Sequence, residues 1–258
     1  MLRRTVLAGG EPPTTLNAPV PTAPKQGAAT RARLTLLSGF ELDAGGERVR
    51  LPLNGQRVLA FLALKGRTLQ RTYVAGSLWL DSNDERAAAS LRSALWRINR
   101  HHRLVEASSD GIRLASVDVD VDAAVAQAHE LLDPLSSFCP ALGEVQLFGD
   151  LLPDWYDDWV AFERERFRQL RAHALENLCD RLSHAGRYGE AIEAGLAAAR
   201  IEPLRESAQR AVIRVHLAEG NVCEALAQYR RFRNRLECDL GLAPSAQLDE
   251  LVARFTSR

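Results

Sequence analysis

The sequence predicts a mainly α protein with a small β component, in which an N-terminal winged helix-turn-helix is followed by an all-α, tetratricopeptide-like helical domain. Three observations carry this. Residues 82–114 read as an amphipathic helix, a short break and a compact hairpin. Two stretches in the last third of the chain echo each other 34 residues apart. Charge is divided along the chain: residues 31–116 hold 14 Lys/Arg against 8 Asp/Glu, and residues 117–258 hold 16 against 24. The zero net charge therefore hides a basic segment joined to an acidic one, and only the first is suited to phosphate.

Residues 1–30 carry five of the eleven prolines and no apolar periodicity, which predicts a flexible Pro-rich tail. Arg3-Arg4 is followed by an apolar run too short for an export signal, and no stretch reaches the roughly 18 apolar residues of a membrane span. The chain is expected to be cytoplasmic, with no membrane partner. Cys139, Cys179, Cys223 and Cys238 form no C-x-x-C pair, so buried thiols are expected rather than a metal site or a disulfide framework.

The basic domain is expected over 31–116. It opens with strand, turn, strand: Leu34, Leu36 and Phe40 lie in the first run, 44–46 make the turn, and Val49 and Leu51 alternate on return. Asn54 is placed to cap a helix whose Val58, Leu59, Phe61 and Leu62 face the core. A short second helix spans 71–79. Gln70, Arg71 and Thr72 open it, where free amides and a cation either hold a phosphate or serve as ordinary helix-start chemistry. Ser82 and Glu85 have capping-box spacing for the third helix. Leu91, Ala94, Leu95 and Ile98 form its buried stripe. Its outer face carries Ser90, Arg92, Ser93, Trp96, Arg97 and Arg100, with no acid among them. Val105 and Ala107, the turn 109–111, and Ile112 and Leu114 then make a hairpin.

A basic helix followed at once by a hairpin suits a reader of double-stranded DNA, the helix in the major groove and the hairpin on phosphates. In that reading Arg92 and Arg97 face base edges or phosphates. Ser108, Ser109 and Arg113 on the wing set register on the backbone, and Arg57 and Arg71 are weaker phosphate candidates. Trp96 either touches a thymine methyl or packs beneath the wing, the second being favoured. An arginine-rich helix face is also an ordinary solvated surface.

The acidic domain is expected over 117–258. Acidic alternation at 117–122 leads into a helix over 123–132, a loop-rich connection over 134–153, and a long helical stretch over 154–184. That stretch begins with Trp155, Tyr156, Trp159 and Phe162, read as packing residues, while Glu163 and Glu165 read as solvated ion pairs. The echo pairs Gly186 with Gly220, Glu190 with Glu224, and Ala191 with Ala225. Its period of 34 is that of tetratricopeptide helix pairs. Glycine permits the turn between helices and alanine lets them approach closely. A last helix spans 245–255. No Gly-rich phosphate loop, H-E-x-x-H or nucleophile elbow is present, so neither an enzyme nor a cofactor or metal is expected.

Three stretches carry a family resemblance. They are 74–79 (VAGSLW) with 84–100 (DERAAASLRSALWRINR), 148–178 with its Leu152-Pro153-x-Trp155-Tyr156-x-Asp158-Trp159, and 229–248 (YRRFRNRLECDLGLAPSAQL). Together they resemble the Streptomyces antibiotic regulatory proteins, in which an OmpR-like winged helix precedes a bacterial transcriptional activator domain. The resemblance covers about residues 33–255. It implies a sequence-specific transcriptional activator of the small, stand-alone type that binds direct repeats near promoters, contacts RNA polymerase and self-associates on DNA, with secondary-metabolite genes as targets. The family's groove-reading helix maps onto 83–102. The alternative is a protein-interaction scaffold whose winged helix does not bind DNA.

Overall fold

A computed structural model of the chain describes residues 31–256, and the expected tail over 1–30 lies outside them. Strand β1 (Ala32–Thr35) runs antiparallel to β2 (Glu41–Ala44), which runs antiparallel to β3 (Glu47–Arg48). The first apolar run is therefore shorter than its alternation suggests. It breaks at Ser38 and Gly39, both at positive φ (66° and 148°), because the chain turns there to meet a later segment. Ser38 donates its N–H to the Asp150 carbonyl at 2.7 Å, and Leu152 donates to that of Leu36 at 2.9 Å.

Helices α1 (Leu53–Lys65), α2 (Arg71–Leu78) and α3 (Asp84–Ile98) follow. The α1 N-cap is Pro52, not Asn54. Proline has no N–H to leave unsatisfied and its fixed φ suits a helix start, so the helix begins one residue before the asparagine. For α3 the cap is Asn83, whose side chain accepts from Arg86 N at 3.0 Å. This displaces the expected Ser82–Glu85 box by one residue.

The wing is β4 (Val105–Ala107) paired with β5 (Ile112–Leu114) in the register Val105–Leu114, Glu106–Arg113 and Ala107–Ile112. Leu69 adds to it, exchanging both backbone hydrogen bonds with Ile112 at 2.8 and 2.9 Å. Gly111 is required by that approach: a Cβ there would lie 2.2 Å from the Leu69 carbonyl oxygen.

Strand β6 (Val117–Val119) lies parallel to β1 and completes a sheet of order β3-β2-β1-β6. Helix α4 (Asp120–Leu132) starts directly from it. Asp120 fixes the junction by accepting the amides of Leu36 and Leu37, both at 2.9 Å. After a short 3-10 turn at Leu142–Glu144 come α5 (Asp158–His184), α6 (Tyr188–Ile201), α7 (Glu206–Glu219), α8 (Val222–Leu240) and α9 (Ala246–Thr256). Helix α5 begins four residues later than the sequence suggests, with Asp157 at the N-cap.

The 34-residue echo is structural. Gly186 and Gly220 take left-handed φ values of 73° and 90° after α5 and α7, and Ala191 and Ala225 are fully buried. Gly195 holds α6 against its neighbours, since a Cβ there would lie 2.8 Å from the Val212 side chain and 3.0 Å from Cys179 Sγ.

One hydrophobic core runs from the sheet through α1–α3 into α4–α7, and a second, including Phe232, Leu248 and Val252, closes α8 and α9 on α7. Between α1 and α5, Phe61 meets Trp159 edge-on at 5.1 Å, and Lys65 pairs with Glu163 at 2.7 Å. Glu163 is thus buried and bridging rather than solvated, while Glu165 is exposed and pairs with Arg168. Of the four aromatics, Trp155 and Trp159 pack, whereas Tyr156 and Phe162 are 93% and 71% exposed. The cysteines also divide: Cys179 is buried, Cys139 half-buried, and Cys223 and Cys238 exposed. The last two lie on outward positions of α8.

Candidate nucleic-acid interface

Helix α3 owes its orientation to an apolar stripe. Ala87, Leu91, Ala94 and Ile98 are buried, with Leu95 half-buried, which turns Arg92, Ser93, Trp96 and Arg97 outward as exposed residues beside a half-buried Ser90. Helix α3 ends at Ile98, short of the expected 102, so Arg100 is exposed in the turn that follows. Among the described residues, no carboxylate lies within ion-pair distance of Arg92, Arg97 or Arg100. Their guanidinium groups face solvent. Trp96 does not pack beneath the wing. It is 63% exposed, with the Arg100 guanidinium over its ring at 5.5 Å, a cation–π contact that holds both side chains on the outer face.

Arg71 and Thr72 open α2 and share a groove of about 260 Å³ with Arg92 and Asp84 of α3. Gln70 stands at the α2 N-cap with no side-chain capping bond, which leaves the first-turn amides free toward an anion. These residues, distant in sequence from α3, are brought to one surface with it.

The wing is less basic than its sequence suggests. Arg113 pairs with Glu106 across the strands, its Nε 2.8 Å from Oε2. Ser108 and Ser109 are exposed at the tip, where Ser108 Oγ accepts from Asp110 N at 3.2 Å and Ser109 Oγ donates to the Asp110 carboxylate at 3.1 Å. Arg57 stands apart. It is half-buried and paired with Asp157 at the start of α5, so it ties α1 to α5 and is not part of the α3 face.

Three residues belong to this region that sequence reasoning missed. Asn99 donates to the Val105 carbonyl at 2.7 Å and accepts the amides of Leu104 and Val105 at 3.1 and 3.0 Å. It clamps the end of α3 to the first wing strand. Arg86 and Arg103 are exposed and have no carboxylate partner among the described residues. Arg86 lies four, seven and eleven positions before Ser90, Ser93 and Arg97, a helical spacing that was available to find it.

Comparison with known proteins adds a family and a fold. Residues 140–255 match the bacterial transcriptional activator domain. No protein of curated function matches the sequence. The solved structure of Mycobacterium tuberculosis EmbR in complex with a low-affinity phosphopeptide is similar at TM-score 0.66 and 21% identity. That likeness, one of fold, covers 87% of this chain and 64% of the EmbR chain. No helix among the described residues is long and apolar enough to cross a membrane.

Proposed function

We propose that the chain, whose residues 140–255 match the bacterial transcriptional activator domain, is a transcriptional regulator of the antibiotic-regulatory-protein type that activates transcription by binding promoter DNA through α3. The observation that carries the proposal is the outward pair Arg92 and Arg97 on α3, with Arg100 in the turn after it, all exposed and without carboxylate partners among the described residues. Arg92 and Arg97 read base edges in the major groove, where a bidentate arginine–guanine contact discriminates by about 1–3 kcal/mol. Ser90, Ser93, Trp96 and Arg100 complete the reading face. Gln70, Arg71 and Thr72 hold a phosphate at the start of α2, and Ser108, Ser109 and Arg113 set register from the wing. For Arg113 this requires exchanging the exposed Glu106 for phosphate, a small cost for a surface ion pair.

Residues 31–116 form the DNA-binding domain and 117–258 the activating one. The activating half contacts RNA polymerase and a neighbouring protomer on direct repeats, in the cytoplasm. Side-by-side binding then raises effective concentration for individually modest contacts. The exposed Leu135, Tyr156 and Phe162 of this half support a protein-binding surface. Secondary-metabolite genes are the proposed targets.

Selection of bound sequences from random duplex DNA, with wild type and Arg97→Glu at one fixed salt concentration, tests the proposal. Enrichment of a spaced direct repeat by wild type alone is expected. No enrichment by wild type would favour the second reading, a scaffold whose winged helix does not bind DNA. The near-neutral wing, with Glu106 and Asp110 beside Arg113, is the feature that speaks for that scaffold.

A further inference from the structure

Away from the α3 face, the activator half contains a cleft of about 460 Å³ between α5, the last turns of α6 and the 147–153 segment. Its size is that of a small-molecule site. Phe148, Phe167 and Ile201 supply apolar wall, and Asp150 is the one acid among the lining residues beside Arg164, Arg168, Arg171 and Arg200.

The arginines are not equally spoken for. Arg168 pairs with Glu165 and Glu202. Arg164 donates to the carbonyls of Leu151, Leu152 and Trp155, which fixes its position without cancelling its charge. Arg171 is 5% exposed and binds the Gly149 carbonyl and the Asp150 carboxylate, yet its buried Nε has no partner among the described residues. Arg200 is exposed and without a carboxylate partner among the described residues. Asp150 and the Arg168 partners thus balance two of the four cations, leaving Arg164 and Arg200 in excess.

We propose that this cleft binds a small organic carboxylate with an apolar body. The carboxylate lies at the rim against Arg200, whose planar fork matches it in two parallel hydrogen bonds, and the body lies on Phe148, Phe167 and Ile201. The site has a direct route to the N-terminal sheet. The Asp150 and Leu152 backbones that border it are hydrogen-bonded to Ser38 and Leu36, so an occupant stiffens the segment joining the activator half to β1.

The test is calorimetric titration of the full chain with octanoate, 1-octanol and inorganic phosphate, repeated with Arg200→Glu and Arg200→Lys. Arg200 is exposed and unpaired, so Arg200→Lys should leave the thermal melt unchanged and Arg200→Glu should lower it only slightly, by placing an acid in the last turn of α6. Expected are one octanoate site with a Kd at or below about 1 mM, at least about tenfold weaker binding of octanol and phosphate, and at least about tenfold loss in Arg200→Glu with most affinity kept in Arg200→Lys. Octanol binding as well as octanoate, phosphate binding better, equal binding by Arg200→Glu, or no octanoate heat would each overturn the proposal. The outcome is independent of whether α3 binds DNA.

Discussion

Arg97 and Arg57 carry the same charge in the same half of the chain, yet their surroundings assign them opposite work. Arg97 projects from α3 with no internal partner, whereas Arg57 is half-buried against Asp157. Arg57→Ala is therefore expected to lower stability by about 1–3 kcal/mol, because it leaves a partly buried carboxylate unpaired, with little effect on DNA affinity once folded. Thermal melts and DNA titration separate the two effects. The cysteines differ in the same way. Burial, more than the nearby Asp180 carboxylate, pushes the Cys179 thiol up to about 12. At pH 8 Cys223 and Cys238 should alkylate readily in the native protein while Cys179 does so only after unfolding, as peptide mass mapping would record. The fold retains the neutral Cys179 thiol while the unfolded chain ionises it near its ordinary 9.0. Its contribution to stability is thus full below pH 9 and is lost as pH rises toward 12.

At the scale of elements, α3 and the wing form one object because Asn99 joins them with three hydrogen bonds. Asn99→Ala is expected to cost about 1–3 kcal/mol and to raise amide exchange in 103–107 and 112–114 more than in α3. Uniform exchange would contradict the clamp. Gly111→Ala should be worse, since its Cβ meets the Leu69 carbonyl.

Periodic signals were legible at this scale. The α3 stripe, the hairpin register and the 34-residue echo all appear where the apolar residues and glycines place them. Helix starts were less legible, because Ser82, Asn83, Asn54 and Asp154 are all competent cap types and only the surrounding chain path selects among them. The break at Ser38 was invisible, because its cause is the Asp150 carbonyl more than a hundred residues away. Among site residues, the outer face of α3 could be read from spacing alone. The Arg57–Asp157 and Lys65–Glu163 pairs could not, since each joins residues about a hundred apart.

At the scale of the molecule, those pairs and the Phe61–Trp159 contact mean that the basic and acidic halves meet through packed side chains as well as through the β1–β6 strand pairing. Helix α3 packs on α1, and α1 packs on α5 through Phe61–Trp159 and Lys65–Glu163, which joins α3 to the C-terminal half. Calorimetry of residues 31–258 should show a single cooperative transition, and Trp159→Ala should lower its midpoint through a loss of about 3 kcal/mol. Two resolved transitions in the wild type would show that the halves unfold independently.

The central claim is that the free arginines of α3 bind DNA, and its most direct test is fluorescence anisotropy of the selected duplex with wild type and Arg97→Glu at one salt concentration, paired with thermal melts. An affinity loss of about 100-fold or more with an unchanged melt is the predicted result. Equal affinity of the two proteins for the same duplex would contradict it.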